Sequence, residues 1–219
     1  MTVKNFVLIN CVHLTFLISL HLYYIKTDYK MIKITLPDGS IKEFEAGITP
    51  FDVAKSISDG LARSIISASF NGTTIETVTP LTANGSLVLY TWNNDEGKKA
   101  FWHSSAHVLA ETILEFYPKA KLTIGPAIEN GFYYDLDLGE DVISEKDFPQ
   151  IEKRFLELAR GKHEFKMRSV SKADALSLYA KENNPYKVEL IEGLTDGDIT
   201  FCDHNNFTDL CRGGHIPHT

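Results

Sequence analysis

Hydrophobic and polar residues alternate from Met31 to Leu36, which puts Ile32, Ile34 and Leu36 on one face of a strand. Pro37-Asp38-Gly39-Ser40 then interrupts the pattern as a turn, because proline fixes φ and glycine accepts a positive φ. Ile41 to Glu45 returns, so residues 31–45 predict a β-hairpin. Thr49 is placed to cap a helix, with Pro50 at its first position and Asp52 three residues beyond the cap. Phe51, Val53, Ala54 and Ile57 give that helix its apolar contacts. Ile65 to Phe70 predicts a buried strand, Asn71-Gly72 a tight turn, and Leu87 to Tyr90 a last strand.

Beyond Lys98 the period changes. Trp102, Ala106, Leu109, Ile113 and Phe116 recur at helical spacing until Pro118 ends the run. His103 and His107 fall just beside this stripe, one turn apart, on the border between core and solvent. Gly131 to Leu138 reads as a strand. Ser144 to Asp147 reads as a helix N-cap before amphipathic Ile151 to Arg160, which stops at Gly161. Glu164 to Val170 predicts a strand, Ser171 to about Glu182 a capped helix ended by Asn183-Asn184-Pro185, and Lys187 to Ile191 and Ile199 to Phe201 two more strands. The fold class is α+β. Residues 31–91 have the element order of a small ubiquitin-like β-grasp domain, and residues 98–219 form a second α+β domain with a mainly antiparallel sheet and flanking helices.

The first thirty residues differ from the rest. Val7 to Ile25 is strongly apolar, but its densest run, Val12 to Ile25, is 14 residues long, short of the roughly 20 that span a bilayer. No small-residue cleavage site follows it. Residues 1–30 therefore read as an apolar leader with a mis-assigned start, and Met31 as the natural first residue. The 219 residues are 43% hydrophobic and carry a net charge of −7, with mean hydropathy −0.12. Collagen, low-complexity disorder and a polytopic membrane protein are excluded. No basic stripe advertises nucleic acid. Three cysteines, Cys11, Cys202 and Cys211, are too few for a disulfide scaffold and fit a reducing, cytoplasmic compartment.

The chemistry rests on two spaced pairs, His103-Ser104-Ser105-Ala106-His107 and Cys211-Arg212-Gly213-Gly214-His215. Either alone is weak: a histidine at a core edge and a cysteine as a small buried hydrophobe are ordinary. Both in one domain are more specific, since three imidazoles and a thiol can converge if the last loop folds onto the first helix. Two uses stay open. Tetrahedral zinc takes Cys and His ligands in this ratio. Alternatively the groups bind a polar substrate and activate water, with histidine as general base. Gly213 and Gly214 let backbone approach a ligand closely, and Asp209 can orient a histidine or accept a substrate amine.

Leu36-Pro37-Asp38-Gly39-Ser40 and Gly47-Ile48-Thr49-Pro50 resemble the TGS domain found at the start of threonyl-tRNA synthetases. TGS modules also occur in GTPases, but the chain has no G-x-x-x-x-G-K-[ST] phosphate loop. The two pairs above, with Ile124-Gly125-Pro126, Asn130-Gly131-Phe132-Tyr133-Tyr134-Asp135 and Asp209-Leu210, resemble the editing domain of bacterial threonyl-tRNA synthetases, in that family's order. There is one departure: the family usually has proline where this chain has Gly214.

The resemblance implies hydrolysis of serine mischarged onto the threonine tRNA. It implies catalytic roles for His103, His107, Lys187, Cys211 and His215, and substrate-binding roles for Asp209, Tyr134, Asp135 and Gly213. Lys187 matches a lysine the family places near the scissile ester. The implied partner is the acceptor end of tRNA(Thr) carrying serine, with no membrane. No metal and no cofactor are expected for editing. ATP, magnesium, a zinc and homodimerisation belong to the family's catalytic core, expected to be absent from this chain. Two other readings compete: a zinc-dependent, free-standing deacylase of the alanyl type, and a non-catalytic TGS binding module.

Overall fold

The computed structural model describes residues 30–219; the apolar leader expected at 1–30 lies, but for Lys30, outside them. Strands β1 (Met31–Thr35) and β2 (Ile41–Glu45) form the antiparallel hairpin, with Ile32 opposite Phe44. Helix α1 (Pro50–Ile57) carries a complete capping box: the Thr49 hydroxyl accepts from the Asp52 amide, and the Asp52 carboxylate accepts from Thr49. A short α2 (Asp59–Ser64), capped by Ser58, follows it; the sequence pattern had not marked it.

Strands β3 (Ile65–Phe70), β4 (Thr73–Ile75) and β5 (Gly85–Thr91) complete a five-stranded sheet in the order β2-β1-β5-β3-β4. Only the β1–β5 pairing is parallel. The alternation of β1 buries Ile32 and Ile34 against Val53, Ala68, Leu81 and Leu87, which together make the core of this domain.

Helix α3 (Asp95–Phe116) begins the second domain. The segment read as one strand over 131–138 is instead broken. Two-residue strands β6 (Lys121–Leu122) and β9 (Leu136–Asp137) pair with each other, as do β7 (Ala127–Ile128) and β8 (Gly131–Phe132). Helix α4 (Phe148–Ala159) starts at Pro149's turn with Asp147 as its N-cap; Ser144 donates to the Asp147 carboxylate and stands outside the helix. Strands β10 (Phe165–Ser169), β11 (Thr200–His204) and β12 (Phe207–Leu210) form an antiparallel sheet. β12 lies beyond the last strand the sequence pattern predicts.

Helices α5 (Lys172–Lys181) and α6 (Pro185–Glu192) cover that sheet. α6 corrects the strand expected at Lys187 to Ile191. Asn184-Pro185, taken for a terminator, is an N-cap and first helical residue: the Asn184 side chain accepts from the Lys187 amide. Ile191 is buried with Tyr179, Ile199 and Phe201, and Val188, one turn earlier, packs against the same cluster. Among the described residues no helix is long and apolar enough to cross a membrane.

Candidate functional site

Helix α3 presents His103 and His107 on one side, one turn apart, with ring centroids 4.7 Å from each other. The chain leaving β12 brings Cys211 and His215 to them. The Cys211 sulfur lies 3.0 Å from His103 Nε2 and 3.3 Å from His215 Nε2, and the four donor groups lie within 4.8 Å of one another. The loop is tied down on both flanks. The Ile216 amide donates to the buried Ser104 hydroxyl on α3, at 3.0 Å, and the Cys211 amide donates to Thr200 on β11. Gly213 and Gly214 adopt φ of +91° and +89°, a region that disfavours any side chain. A Cβ on Gly214 would sit 3.2 Å from the Thr74 methyl. Proline, with φ near −65°, cannot take this geometry.

A cavity of about 810 Å³ opens against this cluster. His103, His107, Cys211, Lys187, Asp209, Tyr134 and Gly213 all line it. His215 does not; it is fully buried behind Cys211. Asp135 is exposed and outside the lining, its backbone held by Thr123 and Ile124. Asp209, on β12, is buried and heavily engaged: Lys187 pairs with it at 2.6 Å, and the Tyr134 and Tyr179 hydroxyls donate to it at 2.7 Å and 3.4 Å. The ion pair is buried on both sides, with Lys187 only 2% exposed. Residue 187 reaches it from α6, so the helix serves the site that the expected strand would have served.

Burial pushes the His107 imidazole below its ordinary value of 6.5, against the opposing pull of Cys211 and Asp209. Both His107 ring nitrogens are buried without a hydrogen-bond partner, so Cys211 acts on this ring by proximity rather than through an aligned bond. Burial opposes ionisation of Cys211, yet hydrogen bonds with His103 and His215, and the nearby His107 ring, bring its thiol well below the ordinary 9.0. His215 moves the other way: burial works against its charge, but Cys202, Cys211 and Glu76 push it up to about 12. Burial, and then the Asp209 charge, raise Tyr134 well above 10.0, which keeps it a hydrogen-bond donor.

Three contributors carried no sequence signal. Glu76, just past β4, binds the Gly213–His215 loop. Tyr179 donates to Asp209 and accepts from the Leu210 amide at 2.8 Å. His204 bonds Glu111 at 2.7 Å and stacks on Phe165 at 4.4 Å, and Phe165 also stacks on His215 at 5.1 Å. Each is a lone residue in an unremarkable stretch, and only the tertiary fold gives it a partner.

By type and spacing, the four clustered side chains fit a metal. Bonds of about 2.0–2.3 Å to tetrahedral zinc space its ligand atoms by roughly 3.3–3.8 Å, within the range occupied here. Alternatively, the same arrangement is a thiol and imidazoles against a cavity, with the buried Lys187–Asp209 pair beside them, Asp209 Oδ2 lying 3.9 Å from His107 Nδ1, and with the His107 ring without a hydrogen-bond partner.

This combination of a β-grasp domain and an imidazole-thiol cavity defines a class that sequence comparison makes specific. Residues 32–91 match the TGS domain family, so the first domain is a TGS domain. Over 189 residues the chain is 67% identical to the threonine–tRNA ligases of Flavobacterium johnsoniae and Flavobacterium psychrophilum, and 52% identical to that of Cytophaga hutchinsonii. Each match covers 86% of the chain and 29% of the relative, so the chain spans under a third of the length of these curated relatives. Over that 86% it is a relative of the threonine–tRNA ligases, as its motifs imply.

Proposed function

We propose that the second domain hydrolyses serine esterified to the threonine tRNA, a proofreading activity in the cytoplasm. The supporting observation is the convergence of His103, His107, Cys211 and His215, from two distant stretches of chain, at one end of a cavity of about 810 Å³. The need is physical. Serine lacks one methyl of threonine, and a pocket built for threonine gains only about 1–3 kcal/mol from it, or roughly 10–200-fold. Both amino acids offer the hydroxyl, so a second site must destroy the wrong ester by admitting serine and crowding the extra methyl.

Water attacks the ester carbonyl between serine and the terminal ribose. His107, its imidazolium disfavoured by burial, has one unprotonated ring nitrogen to take the proton from water, and returns it to the ribose oxygen as the acyl C–O bond breaks, which releases serine and the free 3′ terminus. His103 lies at the cavity wall, where it can orient the water and terminal nucleoside. Cys211 and Gly213 shape the amino-acid pocket, with His215 holding Cys211 from behind. Lys187 lines the cavity with its Nζ paired to Asp209 at 2.6 Å, and its remaining N–H groups stabilise the developing oxyanion. Asp209 already receives three donors, so its first task is to hold Lys187 and Tyr134. A substrate ammonium would join this network as a further donor.

The chemistry we propose needs no metal. Were zinc bound, His103, His107, Cys211 and His215 would hold it, and it would supply Lewis-acid activation of water. Four protein ligands, however, make a closed site of the structural kind, with no position left for water.

The test is deacylation of seryl-tRNA(Thr) by the full chain, with Cys211→Ala and His107→Ala alongside. Each variant is expected to lose about 100-fold or more in kcat; near-normal rates in both would end the assignment. Chelation is expected to leave the rate unchanged, with metal well below one equivalent by elemental analysis. Stoichiometric zinc and loss of activity on chelation would favour the zinc-dependent deacylase instead.

A further inference from the structure

The TGS domain reaches into the cluster through one buried side chain. Glu76 is 8% exposed. Its Oε1 accepts from the Gly214 amide at 2.9 Å and from His215 Nδ1 at 3.0 Å, and its Oε2 accepts from the His215 amide at 3.1 Å. Among the described residues no lysine or arginine pairs with it. The carboxylate therefore spends its hydrogen-bonding capacity on the loop that follows Cys211.

We propose that Glu76 is a positioning residue of the hydrolytic site, through which the TGS domain sets the shape of the Gly213–His215 loop and the orientation of the His215 ring. The inference rests on the editing reading of the second domain.

Three arguments carry it. A carboxylate buried away from water is costly unless strong donors meet it, and here three donors come from two consecutive residues. Removing it strands two buried backbone N–H groups in a loop already held at positive φ. The bond to Nδ1 also settles the ring: with the Nδ1 proton directed at Glu76, Nε2 faces the Cys211 sulfur 3.3 Å away. An acid that orients a histidine toward a neighbouring reactive group is a recurrent catalytic device. Glu76, His215, Cys211 and His103 form an unbroken series of contacts from the TGS domain to α3. The series also uses what is particular to this chain, because a proline at position 214 would have no N–H to donate.

The experiment compares the full wild-type chain with Glu76→Gln, Glu76→Asp and Glu76→Ala. One readout is seryl-tRNA(Thr) deacylation, resolved into kcat and KM. The other is amide hydrogen exchange at Gly214 and His215, with Leu87 and Ile113 as reporters of the two cores. For Glu76→Ala we expect kcat to fall by about tenfold or more with KM little changed. Exchange should quicken at Gly214 and His215 and stay unchanged at Leu87 and Ile113. Glu76→Gln, equal in size, should show the same direction, and Glu76→Asp should recover part of the rate.

Wild-type kcat and wild-type exchange in Glu76→Ala would overturn the inference, as would loss of protection at Leu87 or Ile113 in both Glu76→Ala and Glu76→Gln. If the wild-type chain itself deacylates nothing, the editing reading fails; the exchange data then separately decide whether Glu76 holds the loop.

Discussion

In the hydrolysis we propose, His107 is the base, and its surroundings predict a pH profile. Burial disfavours its imidazolium, so the folded chain holds the proton less tightly than free imidazole does. A base must be neutral to act, and this one stays neutral to below pH 6.5. The acid limb of kcat/KM against pH, which reports the free chain, should therefore lie below 6.5; a limb at or above that value would remove His107 from the role of base. Lys187 and Asp209 make a second prediction at the same scale. The pair is 2.6 Å apart and buried, and removing one partner of such a pair costs about 3–5 kcal/mol. Tyr134 and Tyr179 still donate to Asp209, so Lys187→Met should fall near the lower end, about 3 kcal/mol by urea denaturation. The double variant Lys187→Met with Asp209→Asn should cost less than Lys187→Met alone, because no charge is then left buried; a larger cost would contradict this account.

Helices and strands were legible wherever local chemistry agreed with the packing. Thr49, Pro50 and Asp52 announce α1 because each satisfies an otherwise unpaired backbone group or presets a dihedral. Thr49→Ala should accordingly cost about 1 kcal/mol of stability, read as a lower urea midpoint at unchanged slope, and Thr49→Ser should restore it. The alternation of Ile32, Ile34 and Leu36 and the helical spacing of α3 were equally readable, because each lies against one continuous core. So were the residues His103, His107, Cys211 and His215 as candidates, since their spacing is local. Misreading came where an element is short or its signal is shared. Lys187 to Ile191 is apolar enough for a strand, but the Asn184 cap and the packing of Val188 and Ile191 on Tyr179 and Phe201 make it helical. The strands flanking Tyr134 are two residues each and are defined by their partners rather than by periodicity. Glu76 was illegible for a related reason: its partners are 138 and 139 residues away in sequence.

At the scale of the molecule, charge decides how the chain should meet RNA. It carries a net −7, so no broad phosphate-gripping surface is expected, and contact should be confined to the cavity proposed to take the ester. Three cationic side chains line that cavity, Lys99, Lys187 and Arg212, together with three acids, Glu96, Asp198 and Asp209. Lys187 is already neutralised by Asp209. Lys99 and Arg212 are exposed and make no ion pair among the described residues, which leaves two cations to displace counterions. Each single-strand phosphate neutralised contributes a slope of about −0.7 in log affinity against log salt. Binding of the tRNA acceptor end should thus follow a slope near −1.4, a loss of roughly sevenfold between 50 and 200 mM salt. Arg212→Ala and Lys99→Ala should each flatten the slope by about 0.7, whereas Lys187→Met should leave it unchanged. A slope several times steeper, measured by fluorescence anisotropy, would mean that the RNA lies across a basic surface other than this cavity, and the acceptor end would then have no electrostatic reason to enter it.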